Sequence, residues 1–310
     1  MTCQAGRVIA LLSAPTNLGL RPPAPGRVPG TWRAPEALRA AGLHRRLEAA
    51  GAVDAGVVEP GPYADADGRR PPGTIRNQAA VVDHARRLSR RVVELVDAGR
   101  RPLVLGGDCS LLVGAGLALR SPAAGPGAGL VHVDGHTDFR HPGNSDAWGS
   151  LAGEDLAAAV GLHVPEVADV DGRGPYVDPA RAVHVGCRDD DEHAAEVRGL
   201  LADVVPAAEV VRDGGAAVAE RVLAAVGAAG GFWLQLDVDV LDPDWMPAVD
   251  SPDPGGLDPE QLVELLRPLA PWAVGASVTV FDPELDPDGR HAATVADIVV
   301  RGLGDLGSRR

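Results

Sequence analysis

The chain has 310 residues, 45% of them hydrophobic, which is enough for one large α/β unit with a full core. Its formal charge of −14, from 29 basic and 43 acidic side chains with no basic stripe, argues against nucleic acid or an anionic membrane as partner and leaves small molecules. Three cysteines (Cys3, Cys109 and Cys187), far apart and odd in number, set no disulfide framework and suit a reducing cytoplasm, and the opening apolar run Val8 to Leu12 is too short for a signal segment or a membrane span.

In chain order, apolar strand candidates fall at Val8 to Leu12, Ala52 to Val58, Pro102 to Leu105, Leu130 to Val133, Ala182 to Val185, Val204 to Pro206, Phe232 to Leu236 and Ala273 to Val280. Most are continuous rather than alternating, as strands covered on both faces are. Helical patterns lie between them at Ala34 to Ala50, Ile75 to Ala98, Ser110 to Arg120, Gly153 to Ala159, Ala194 to Leu201, Ala216 to Ala228, Pro259 to Leu269 and Ala292 to Leu303. Alternation of this kind predicts a parallel sheet with helices on both sides, in a single domain spanning residues 1–310.

Two runs at strand ends carry the chemistry. In Leu130 to Asp138, the residues Asp134, His136 and Asp138 recur at every second position; in Phe232 to Pro243, Asp237 and Asp239 follow an apolar strand. Side chains two apart on an extended segment share a face, so each run gathers metal-ligating groups at one spot. Charge of one sign so concentrated calls for a cation. Ligands of parallel sheets bind beyond the carboxyl ends of the strands, where Gly106-Gly107-Asp108-Cys109-Ser110 also falls. His132, two residues deeper than Asp134, reads as a core histidine, and Trp32, Trp233, Trp245 and Trp272 read as packing groups.

Over nearly its whole length the sequence resembles the ureohydrolases, the family of arginases and agmatinases. The resemblance is carried by Ser13-Ala-Pro with Gly26 to Leu43, Gly106-Gly-Asp-Cys-Ser, Asp134-Gly-His-Thr-Asp, Asp237-Val-Asp-Val-Leu-Asp-Pro and Pro254-Gly-Gly-Leu. It implies a three-layer α/β/α sandwich with a mostly parallel sheet of about eight strands, a homo-oligomer (trimer or hexamer), and a manganese centre of one or two ions that activates water. Two such ions about 3.5 Å apart would clamp a tetrahedral intermediate. By resemblance Asp134 and Asp237 bridge the ions, His136 and Asp239 complete one site, and Asp138 serves the other.

Three departures stand out. Cys109 occupies the place of a histidine ligand; a thiolate suits zinc better than manganese, so that ion is expected to be weak or absent, and Cys109 reads equally as a small buried residue. Trp148 stands where the family's proton-shuttling histidine lies, and Val280 where a glutamate grips the guanidinium group. His141 and Glu154 are the candidate replacements for proton transfer, Glu154 reading also with Asp155 as an acidic pair opening a helix. Asn144 and Ser145 match positions that meet an α-carboxylate, Asp191 one near an α-amino group, and Trp148 is expected to pack on the substrate. The expected activity is hydrolysis of a non-peptide C–N bond in a small guanidino, amidino or amide compound other than arginine or agmatine. The alternatives are a deacetylase-like amidohydrolase using one ion and a catalytically silent binding protein of the same fold.

Overall fold

The computed structural model describes residues 8–64, 70–122, 127–227 and 230–310; Cys3 and the last residue of the expected helix Ala216 to Ala228 lie outside them. Among the described residues eight strands form: β1 (Ile9–Ala14), β2 (Val53–Val57), β3 (Arg101–Gly106), β4 (Gly129–Val133), β5 (Ala182–Val185), β6 (Asp203–Val205), β7 (Phe232–Asp237) and β8 (Ala273–Thr279). They pair in parallel in the order β2-β1-β3-β8-β7-β4-β5-β6. Every expected strand is present, with ends moved by a residue or two.

Period two in these strands builds two cores. Leu11, Leu103, Leu105, Val131, Val133, Leu234 and Leu236 face the helices Ala34–Ala40, Leu43–Ala49, Gly215–Val226, Pro259–Leu269 and Arg290–Leu303. Their neighbours Ala10, Leu12, Val104, Leu130 and Trp233 face Gln78–Asp97, Leu111–Leu119 and Asp155–Ala159. The α/β/α sandwich follows directly, since a sheet apolar on both faces needs cover on both.

The structure amends the local expectations where backbone geometry intervenes. The helix expected over Ala34 to Ala50 is two, because Gly42 adopts φ 88° between Ala34–Ala40 and Leu43–Ala49. The helix expected from Ile75 starts at Gln78, after Asn77 in the left-handed region at φ 52°. A short helix at Ala207–Asp213, following Pro206, was not anticipated. The strand β2, at the sheet edge, is mostly exposed rather than covered. Trp233 is buried and donates from Nε1 to Ser277 Oγ over 2.8 Å, but Trp32 and Trp245 are exposed rather than packed.

The sheet order positions the site. After β3 the chain returns at β4, leaving the places between them for β8 and β7, so the carboxyl ends of β3, β8, β7 and β4 stand side by side in the middle of the sheet.

Candidate metal centre

The ligating residues are set by turn chemistry at these strand ends. The backbone of β4 stops being extended at Val133, so strand parity alone does not align Asp134, His136 and Asp138 as expected. Instead the Asp134 carboxylate accepts from the His136 N–H (2.7 Å), and Asp138 takes φ 46°. The end of β7 repeats the device: Asp237 accepts from the Asp239 N–H over 2.8 Å at the start of a 3₁₀ turn, Val238–Val240. Aspartates bonding to the N–H two residues on form such turns readily, which is why Asp-X-His and Asp-X-Asp converge without a straight strand. Gly135 lets the two turns meet: its N–H donates to Asp239 Oδ1 (3.0 Å), and a Cβ there would stand 2.7 Å from the Asp239 carbonyl oxygen.

Among the described residues three groups of ligand atoms result, each with members within 4.8 Å of one another: Asp134, His136 and Asp239; Cys109, Asp134 and Asp138; and His132, Asp138 and Asp155. His136 Nδ1 lies 2.9 Å from Asp239 Oδ2 and its Nε2 3.0 Å from Asp253 Oδ2. Cys109 Sγ donates to Asp237 Oδ2 at 2.6 Å. Asp108, fully buried beside it, fastens the turn by accepting from Thr16 Oγ1, the Gly19 N–H and the Ser110 N–H. Arg188, which the sequence reading had not singled out as a bracing group, donates to the carbonyl oxygens of Asp239, Leu241 and Asp253, holding the β7 turn against the loop that covers it.

The electrostatics are those of a cation site. Burial, with the charge of Asp239, pushes the Asp134 and Asp237 carboxyls well above the usual range, and burial with Asp134 does the same to Asp138. Burial opposes the charge of His136, but the attraction of Asp239, with Asp138 and Asp253, outweighs it and carries the imidazole up to about 10. Burial likewise opposes ionisation of Asp239, and the same His136 contact overcomes it and holds that carboxyl low. Asp134 Oδ2 is buried with no hydrogen-bond partner among the described residues. An aspartate-rich set with one imidazole and an orphaned carboxylate oxygen suits a hard or borderline divalent ion, so Asp134, His136, Asp237 and Asp239 fit one. Cys109 fits less well: burial first, then Asp237, keeps its thiol from ionising, and its sulfur is soft.

Above this floor opens a cleft of about 900 Å³, bordered by His136, Asp138, Asp237, Asp239, Arg140 and Val280. Val280 is 3% exposed with φ 73°, a rare backbone state for a β-branched residue, and its N–H donates to the Gly107 carbonyl oxygen over 2.7 Å. Asp191 accepts from the Thr137 N–H and Oγ1 and borders a smaller hollow beside the cleft with His136 and Asp138.

The remaining expected site residues are not brought to the cleft. Glu154 is fully buried, its carboxylate accepting from the Gly149 and Ser150 N–H groups and facing His163 Nε2 at 2.9 Å. His141 has Nε2 at 3.2 Å from Glu196 and accepts at Nδ1 from the Gly143 N–H. The polar atoms of both residues are engaged with these neighbours, and neither residue borders the cleft. Asn144 bridges the His141 N–H, the Phe139 carbonyl oxygen and Glu196, and Ser145 Oγ accepts from the Ala147 N–H; both brace that loop rather than face a ligand. Trp148 meets His163 edge-on at 5.4 Å and is not among the residues that border the cleft.

The comparisons with known proteins agree with this geometry. The arginase family sequence model matches residues 8–304. The chain belongs to the arginase family. It is 31% identical to the arginase of Bacillus caldovelox over 289 residues, 89% of this chain and 93% of that one. The crystal structure of that arginase superposes with a TM-score of 0.82 at 27% identity, covering 97% of this chain and 98% of the other. Proclavaminate amidino hydrolase from Streptomyces clavuligerus shares the fold, with a TM-score of 0.71 at 23% identity, 98% of this chain and 93% of that one being covered. This arginase-family chain thus carries ligand clusters at the strand ends, and among its described residues no helix is long and apolar enough to cross a membrane.

Proposed function

We propose that the protein is a divalent-metal-dependent hydrolase of a non-peptide C–N bond in a small guanidino, amidino or amide compound other than arginine or agmatine. The observation that carries this reading is Val280, apolar and strained, on the wall of a cleft bordered by His136, Asp237 and Asp239, with buried Asp134 grouped with His136 and Asp239 behind it. Manganese is the ion we infer, because the donors are carboxylates and one imidazole. When bound, such an ion supplies Lewis acidity and an ionised water at about pH 7.

The chain's own residues do the rest. His136 and Asp239 hold one another in place, and Gly135 and Arg188 lock the two turns so that the ligand atoms need not reorganise. Val280 and Val249 offer an apolar wall to the reacting group, which favours a neutral one. Arg140, on the rim and paired to the exposed Glu192 at 2.9 Å, can turn to a substrate carboxylate. With His141 and Glu154 engaged elsewhere, proton transfer falls to water in the open cleft.

Protein purified with manganese should hold stoichiometric metal and lose it on Asp237→Ala. Release of urea, ammonia or amine from a panel of guanidino and amide compounds then identifies the substrate. Absence of bound metal would overturn the reading, and robust turnover of arginine or agmatine would overturn its substrate half.

A further inference from the structure

We infer that the second divalent ion in this chain is held by His132, Asp138 and Asp155, with Asp134 reaching it from the first site, and not by Cys109. The inference rests on the metal-centre reading above but not on any substrate.

The second cluster lies one residue pair deeper along β4. A ring nitrogen of His132, one oxygen of Asp155 and one of Asp138 fall within 4.8 Å of one another. His132 Nε2 is 3.5 Å from Asp155 Oδ1 and 3.6 Å from Asp134 Oδ2. His132, Asp134 and Asp155 are all 0% exposed. Among the described residues, His132 Nε2, Asp134 Oδ2 and both Asp155 oxygens have no hydrogen-bond partner. Buried polar atoms are nearly always satisfied, so His132 Nε2 with the orphaned oxygens Asp155 Oδ1 and Asp134 Oδ2 at 3.5 and 3.6 Å from it marks a missing partner there. One oxygen of Asp134 is tied to the His136 N–H while the other points into this pocket, so the carboxylate is placed to serve both ions.

The register of the sheet explains the histidine. His132 on β4 pairs with His184 on β5, both centred in a Val-His-Val run, and their Nδ1 atoms are 2.9 Å apart. Only one of two such nitrogens can carry a proton when both rings are neutral. With the proton on His132 Nδ1, its Nε2 lone pair faces the three aspartates, oriented by a second group as metal-bound imidazoles are. Cys109 is otherwise occupied: its Sγ donates to Asp237 Oδ2 at 2.6 Å and stands 3.5 Å from Thr279 Oγ1. Between a soft sulfur so engaged and an oxygen-rich set with one free imidazole nitrogen, manganese takes the second.

The test is the metal content of manganese-loaded full-length protein, together with an anomalous map at the manganese edge on wild-type crystals. The expected result is two ions in the wild type, the second between His132 Nε2 and Asp155. Asp155→Asn and His132→Gln should each leave one ion, while Cys109→Ser retains both. The Asn substitution is nearly isosteric, and the wild-type map needs no variant to fold. A second ion bonded to Cys109 Sγ overturns the inference. So does a single ion at His136 and Asp239, with a protonated His132 paired to Asp155 in place of metal; that outcome leaves the proposed function standing. A protein with no metal at all sinks both.

Discussion

Cys109 Sγ and Asp237 Oδ2 stand 2.6 Å apart, and Thr279 Oγ1 lies 3.5 Å from each, so one thiol ties the ends of β3, β8 and β7 together under the cleft. The partner carboxylate is 1% exposed and burial already disfavours its charge. Cys109→Ala removes the nearer donor and leaves only the distant Thr279 hydroxyl, and a poorly satisfied buried acceptor costs about 1–3 kcal/mol. Urea unfolding of the metal-free variant in chelator should show a loss of that size. An unchanged midpoint would mean the thiol contributes no hydrogen bond.

Arginine and agmatine should not be turned over. Val280 itself offers no anion to a guanidinium placed against it, and a buried charge left without a partner at that point costs on the order of several kcal/mol; the absence of a general acid at Trp148 removes a further ~10²–10⁴ in rate. Steady-state assay of the manganese-loaded protein measures both losses together. Val280→Glu should restore detectable binding of a guanidino compound before it restores turnover.

Glu154 is a fastener rather than an acid. Glu154→Ala would strand the His163 imidazole and the Gly149 and Ser150 N–H groups in a site that is nearly dry. Leaving these buried donors unsatisfied costs about 1–3 kcal/mol each. Glu154→Gln, which keeps an acceptor for the two N–H groups, should cost less than Glu154→Ala. Equal stability of the two variants in denaturant would contradict this order.

His84 predicts a pH effect remote from the cleft. Burial, partly offset by its bond to the Val58 carbonyl oxygen (3.1 Å) and by Asp108, with Arg87 adding to the burial and Asp83 opposing it, holds its imidazole below 6.5. The folded state thus binds the proton less readily than the unfolded chain. Stability from this group is full above about pH 6.5 and falls as the pH drops through 6.5 toward the folded value. His84→Gln keeps a donor and removes the titration. The stability advantage of the wild type over the variant should therefore shrink between about pH 7.5 and about pH 5.5. A difference that stays constant would refute the assignment.

The continuous apolar runs of β3, β4, β7 and β8 were legible in the sequence because a strand covered on both faces needs nothing else. The pairs Asp134/His136 and Asp237/Asp239 were legible for a related reason: an aspartate that bonds to the N–H two residues on makes its own turn, wherever the rest of the chain goes. Such interactions are local, and local spacing reports them. Cys109, Trp148 and Val280 could be flagged only as departures from a family pattern.

Tertiary structure alone decided which of two adjacent acids faces the centre. Glu154 turns back to its own loop and His163, while Asp155 turns inward to His132, and no period distinguishes neighbouring residues at the start of a short helix. It also decided that His132, read from sequence as a core residue, meets His184 across β4 and β5, because strand neighbours are set by the crossover order of the whole sheet. Local bonding is written in consecutive residues; the meeting of segments far apart in the chain depends on packing both faces of one sheet at once, which the sequence determines only through the complete fold.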